Sequence, residues 1–470
     1  KGTLADWKVG MLGASPVVIT YVCASLSTPY IYKVNGESGG LHIWGSSSQG
    51  KTTTLQAAAS VWGDGTDPQR GGGDGIYIET WNNTGNALEA KAEERNDLPQ
   101  ILDEMGTVNP KTVGTIVYNL MSGTGRGRAN KSGGLREPKS WCSSLMSSGE
   151  ISLVECIESG GSVVKEGQAA RLLDIDLSQT PPLFNSKKDA DLMKTLCHEH
   201  FGHAGPELLK SCPDIVAKWN SFNKTVIGSV TTAISGRVRD RFAFFACIGC
   251  MAADAGIVPW TQAEVISAVQ IAYAAWSEHQ FDEPAAGVES VRSFILKNKV
   301  MFEHCLDEKP THQRAGWRRD GFFHLTPMAF KEACNGVDPT RVKKKLKELG
   351  FLHTNKTKGL NSTINVDGKS VTVISVYDSV ISESPNLGGV GSVDGVKPDV
   401  SRDAPSTTLP NGMVSVVLPA TQAVMPPPPV PVQSNATNTT QNSGVVPTPG
   451  HVRRSMTPPT PLAPPKISNV

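Results

Sequence analysis

Gly45-Ser46-Ser47-Ser48-Gln49-Gly50-Lys51-Thr52 matches the pattern G-x-x-x-x-G-K-[ST] at every position. The apolar run Leu41-His42-Ile43-Trp44 before it reads as a strand, and Thr53–Val61 after it reads as a helix. That context gives the pattern its meaning. The glycines let the loop wrap so that backbone N–H groups converge on phosphate oxygens, while the helix dipole and a lysine add positive field. Gly45, Ser46, Ser47, Ser48, Gln49, Gly50, Lys51, Thr52 and Thr53 are therefore the candidate contacts for ATP, with the Thr52 hydroxyl directed at Mg2+. A chance Gly/Ser-rich turn is the competing reading, and the flanking strand and helix speak against it.

Some fifty residues downstream, Pro99-Gln100-Ile101-Leu102-Asp103-Glu104 ends a short apolar run on two acids. Asp103 is the candidate to hold the metal through water, and Glu104 the candidate to polarise the attacking water. An acid beside the metal ligand favours hydrolysis over small-molecule phosphorylation. Trp141-Cys142-Ser143-Ser144-Leu145-Met146 reads as the next strand, with Ser147-Ser148-Gly149-Glu150 at its tip. Ser148, with Ser147 close behind, is the candidate sensor of the γ-phosphate. An ordinary serine turn ahead of a helix is the alternative.

The bulk numbers set bounds. The 470 residues exceed one domain, and the formal net charge of +1 leaves any nucleic-acid surface to local basic patches. The chain opens on Lys1, as a piece of a longer polypeptide does, and shows no basic leader followed by a clean apolar run. Pro16 to Leu26 is too short to span a bilayer and reads as a buried helix, so no membrane segment is expected. The nine cysteines show no C-x-x-C pair at zinc spacing apart from Cys247 and Cys250. Cys247 and Cys250 sit in an apolar helix-like run, and the thiols read as reduced ones of a cytosolic protein.

Five stretches follow from composition: a helical lead-in over 1–40, an α/β core over 41–184, a helical region over 185–287, a winged-helix-like domain over 288–380 and a tail over 381–470. The tail, rich in Pro, Ser and Thr, cannot bury enough apolar surface to offset its chain entropy and reads as disordered. Two basic stretches stand out. Arg126, Arg128, Lys131 and Arg136 lie among glycines before the Trp141 strand, as expected of a loop that grips a nucleic-acid backbone. Arg341-Val342-Lys343-Lys344-Lys345-Leu346-Lys347 places lysines outside an apolar stripe, with Lys343 and Lys344 as DNA contacts and a β-ribbon near Val371–Tyr377. Solvated faces are the plain alternative for both. His198, His200 and His203 lack an acidic partner at zinc spacing and read as a loop.

Several motifs occur together and in order: Glu37-Ser38-Gly39-Gly40, Ala59-Ser60-Val61-Trp62-Gly63, Asp103-Glu104, Ser148-Gly149-Glu150, Gly167 through Asp174, and Arg241-Phe242-Ala243 continuing to Trp260. Across roughly residues 1 to 360 the chain resembles a phage and mobile-element family described as a domain of unknown function, DUF927. Cassette-borne relatives in that family are similar to minichromosome-maintenance helicases, ring-forming AAA+ motors. The resemblance implies an AAA+ type P-loop core and a homo-oligomer, a hexamer, with single-stranded DNA in its channel. It also implies that the basic loop projects into that channel. Arg171 is then the arginine that reaches the neighbouring subunit's ATP, an internal ion pair with Asp174 or Asp176 being its alternative. Arg237 or Arg241 is the lid arginine. Serine stands where better-known motors carry asparagine on the sensor strand. The expected function is an ATP-driven DNA helicase or translocase for replication of a phage or mobile element. A protein-remodelling or regulatory ATPase that docks on DNA without unwinding it is the alternative.

Overall fold

The computed structural model describes residues 1–67, 76–127, 138–212, 214–230, 232–302, 314–354 and 359–382. Arg128, Lys131, Arg136 and the tail from residue 383 onward lie outside them.

Five short apolar segments form one parallel sheet: β1 (Gly39–Trp44), β2 (Ile78–Thr80), β3 (Gln100–Asp103), β4 (Ser144–Gly149) and β5 (Leu172–Asp176). Their order is β2-β3-β4-β1-β5, and every neighbouring pair is parallel. Both faces are covered, as parallel strands require. Leu41, Ile43, Ile101, Met146 and Leu173 enter one core with the helices Pro16–Ser27, Lys51–Ser60, Ala233–Asp254 and Gln262–Glu278. Leu102, Leu145 and Leu172 enter the other, beneath the helices Gly85–Glu94 and Pro110–Ser122. The helix Pro16–Ser27 is buried over nearly its whole surface, as expected of a segment apolar all round.

Because β4 is inserted between β1 and β3, the tips of β1, β3 and β4 stand side by side. Chain segments far apart in sequence thus meet at one edge of the sheet. Two boundaries differ from the sequence expectation. The helix after the glycine loop begins at Lys51 rather than Thr53. β4 begins at Ser144, three residues later than expected, because Trp141 belongs to the base of the preceding loop. There Trp141 donates from its backbone to Gly123 and from its indole to Leu120, and Thr124 bridges Ser140 in antiparallel fashion. The basic loop is therefore closed at its base like a hairpin.

A second, antiparallel sheet follows: β6 (Gly316–Arg319), β7 (Phe322–Leu325), β8 (Leu352–His353), β9 (Ser362–Val366) and β10 (Lys369–Tyr377). The order is β6-β7-β10-β8, with β9 on the far part of β10. Two-residue turns join β6 to β7 at Asp320-Gly321 and β9 to β10 at Asp367-Gly368. All four residues have positive φ, the turn geometry that matches strand twist and selects Asp-Gly. The helices Glu283–Lys297, Pro327–Ala333 and Pro339–Glu348 pack on this sheet around Phe323, Phe330, Val342 and Leu346.

Candidate nucleotide site

Loop geometry follows from its glycines. Gly45 and Gly50 have φ of 157° and 94°, and a side chain at Gly50 would collide with the Phe184 ring. Lys51 folds back over the loop, donating to the carbonyls of Gly45 at 2.8 Å and Ser46 at 2.6 Å. Burial pulls its ammonium below the ordinary lysine value, while Glu150 and Asp103 nearby oppose that shift. Thr52 donates to Asp103 Oδ2 at 2.9 Å. Asp103, at the end of β3 and 4% exposed, also takes the Ser148 hydroxyl and the Glu104 amide on Oδ1. The sequence-predicted Lys51, Thr52, Asp103 and Ser148 thus come together from three strands.

Ser148 is the penultimate residue of β4, at its C-terminal end, in register with Ile43, and its hydroxyl is committed to Asp103. Ser147 is one residue deeper, bonded to His42 Nδ1 at 2.8 Å and to the Trp81 indole at 2.7 Å. Glu104 is exposed and holds a left-handed backbone, φ 60°, which turns the chain sharply away from the sheet.

A polar row beneath the loop escaped sequence reading. Ser147, His42 and Asp174 are register partners on β4, β1 and β5, all on one face of the sheet. His42 contacts the Ile151 carbonyl through Nε2 at 2.9 Å, and Asp174 accepts the Leu153 amide at 3.0 Å. Together they fix the segment that follows β4. Burial holds His42 down at about 4 and raises Asp174 to about 7, so both are neutral at pH 6. The available signal was a lone histidine inside an apolar strand, which by itself fits a satisfied core residue.

The arginines occupy the opposite end of the sheet. Arg171 precedes β5; it donates to the Gly167 carbonyl at 2.7 Å and lies over the Tyr118 ring at 4.3 Å. Its expected alternative partners are engaged elsewhere, Asp174 with Leu153 and Asp176 with His279 at 3.1 Å. Arg241 is half-buried against Gly39, donates to the Ala170 carbonyl at 2.8 Å, and is lowered to about 10 by desolvation. Arg237 is exposed, 3.8 Å from Glu37. The two arginines that sequence spacing could not separate differ in setting, one bound into the fold and one open to solvent.

The basic helix differs from expectation. Lys343 is half-buried: it bonds Asn361 at 2.8 Å and lies over the Phe330 ring. Lys344 is exposed, whereas Arg341 and Lys345 pair with acids of neighbouring elements. Arg126 faces the Asn119 amide, whose oxygen, when turned toward it, takes two N–H groups at 2.9 Å. His198, His200 and His203 do not share one loop: His198 lies in the helix Lys187–Glu199, and the other two flank helix ends. They contact Thr66, Thr3 and the Lys1 carbonyl respectively.

Fold and site define an α/β protein whose parallel sheet gathers a glycine loop, a lysine and a hydroxyl-bound carboxylate at one edge. Residues 1–140 match the family model Domain of unknown function (DUF927), the family the motifs resemble. A solved structure titled "SCCmec type IV Cch - active helicase" is similar, with 18% identity and a TM-score of 0.62 over 82% of this chain and 72% of that one. At that identity the likeness is one of fold. No curated protein matches the chain in sequence. No helix among the described residues is long and apolar enough to cross a membrane.

Proposed function

We propose that the chain is an AAA+ type ATPase that moves along DNA, a helicase or translocase of a mobile element working as a ring, a hexamer. The observation that carries this reading is Asp103, clasped by the Thr52 and Ser148 hydroxyls beside the loop Gly45–Thr52. The strand order β2-β3-β4-β1-β5 supports it, as does likeness in fold to a protein titled a helicase. The C-terminal run of helix, turn, basic helix and β-hairpin is the layout of a winged helix.

The donor set fits Mg·ATP. Thr52 and Asp103 offer hard oxygens 2.9 Å apart, and the loop between Gly45 and Gly50 is crowded where side chains would stand. Among the described residues no group of three or more His, Cys, Asp or Glu could hold a metal. A shell completed by phosphate oxygens and water suits Mg2+. Mg·ATP supplies the phosphoanhydride whose cleavage drives movement. Residues Gly45 to Thr53 cradle the phosphates through backbone N–H groups, and Lys51 turns from its own loop carbonyls to the anion. Ser148 keeps Asp103 aimed at Thr52, and Glu104 polarises water. Arg171 cannot serve its own loop. β1 has six residues, which at about 3.3 Å each set the two sheet ends roughly 16–20 Å apart. Arg171 therefore serves a neighbouring subunit's triphosphate, with Arg237 as the exposed lid arginine. Arg126, Arg128, Lys131 and Arg136 grip the DNA backbone, with Lys344 as an outer contact.

DNA-stimulated ATP hydrolysis tests the reading. Single- or double-stranded DNA is expected to raise the rate, and no rise with either removes the helicase assignment. A remodelling ATPase that acts on proteins then takes its place. The inward engagement of Arg341, Lys343 and Lys345 is the feature favouring that second reading.

A further inference from the structure

Glu283 is the centre of an ion network between the basic helix and the arginine end of the parallel sheet. This carboxylate is buried. It accepts from Arg341 Nη1 at 3.2 Å, from Lys165 Nζ at 3.4 Å and from the Glu166 amide at 3.4 Å. The other fork of the Arg341 guanidinium, Nη2, donates to Glu166 at 2.7 Å. Lys165 also reaches the Gly336 carbonyl at 2.7 Å, just before the basic helix, and Lys345 pairs with Asp282 at 3.0 Å.

What this network grips is the single helical turn Glu166–Ala169. A one-turn helix carries nearly all the cost of nucleation and little of the gain of propagation, so neighbouring groups must set its position. That turn supplies the Gly167 carbonyl to which Arg171 is bonded. The guanidinium of Arg171 is thus aimed by a backbone oxygen one residue from the carboxylate that Arg341 holds.

We propose that Arg341, Glu166 and Glu283 are positioning residues for Arg171, so that the C-terminal domain sets the arginine the chain offers to a neighbouring subunit. Arg341 lies between two carboxylates. Removing it leaves the buried Glu283 facing Glu166 with like charge, and the turn yields first because it has least to hold it. Arg341 is on this reading a strut within the chain and not a DNA contact. The inference rests on the proposed role of Arg171, and its test separates the two.

In the full-length chain, Arg341→Ala is expected to lower kcat for ATP about tenfold with KM little changed. In an Arg171→Ala background it is expected to lower kcat no further, and Arg341→Lys recovers part of the rate. Amide exchange at Ala170 and Arg171, which donate to Glu166 and Gln168, is expected to quicken in Arg341→Ala. Equal losses in both backgrounds, or an unchanged kcat, overturn the proposal. Should Arg341→Ala fail to fold, Glu166→Gln keeps the Arg341–Glu283 pair and is read the same way, with a smaller loss. If the wild-type chain hydrolyses no ATP, the functional reading falls alone. Exchange at Ala170 and Arg171 then decides the positioning role, and unchanged exchange overturns it.

Discussion

The two ends of one parallel sheet differ in charge and in completeness. At the C-terminal ends of β1, β3 and β4, Lys51, Thr52, Asp103 and Ser148 already bond to the loop or to one another. At the N-terminal ends lie Arg171, Arg237 and Arg241, with Glu37 3.8 Å from Arg237. A parallel sheet cannot bring these ends together within a chain, since every strand separates them by its own length. The first end is the proposed nucleotide site. The second is the set of cations that the proposal offers to a neighbouring subunit.

The strongest way to break this comparison is to remove one cation at each end. Arg171→Ala is expected to lower ATP hydrolysis about a thousandfold while nucleotide binding is kept. Lys51→Ala is expected to lose at least about a hundredfold together with binding. Mixing Arg171→Ala chains with Glu104→Gln chains should restore some hydrolysis, because one mixed interface in the assembly joins two intact halves. No recovery on mixing, or loss of binding in Arg171→Ala, would show that the two ends are not divided between subunits.

A middle-sized effect lies in the polar row beneath the loop. His42 is held at about 4, against 6.5 for a free imidazole, so its contribution is present above about pH 6.5 and lost as pH falls toward 4. Asp174 is raised to about 7 from 3.8 and acts in the opposite sense: its cost is full above pH 7 and relieved as pH falls. The His42 shift amounts to about 3 kcal/mol and the Asp174 shift to about 4 kcal/mol, and in the wild-type chain the two largely cancel between pH 4 and 7. His42→Gln should therefore make the protein more stable at pH 5 than at pH 8, and Asp174→Asn should do the reverse. Thermal unfolding across that range checks both signs, and a flat profile in either variant contradicts the assignment.

The smallest effect sharpens the role of Ser148. If its hydroxyl serves Asp103, Ser148→Ala should raise the Mg2+ needed for half-maximal hydrolysis by about tenfold and leave the KM for ATP nearly unchanged. A raised KM at unaltered Mg2+ requirement would place the hydroxyl on the phosphate instead.

Much of the site was legible because its pieces are local. A glycine loop between a strand and a helix, and two acids after an apolar run, declare themselves within a few residues, and Asp103 and Thr52 do meet. The reading went astray where a residue's role depends on what lies across the sheet. Trp141 reads as strand until Gly123 and Leu120 claim it. Lys343 reads as exposed until Asn361 and Phe330 cover it. Arg237 and Arg241 share a helix face, and only the close approach of β1 at Gly39 packs one into the fold and leaves the other open.

The sequence by itself determined the glycine loop, the acid at the end of β3 and the alternation of strand and helix, because these follow from backbone freedom, side-chain chemistry and periodicity over short spans. Tertiary structure alone decided the neutral His42–Ser147–Asp174 row, the separation of the two arginines, and the hold of Arg341 on the turn before Arg171. Each of those joins residues distant in sequence through strand register or an ion pair. Burial and charge at such meetings are properties of the packed chain, and no local pattern carries them.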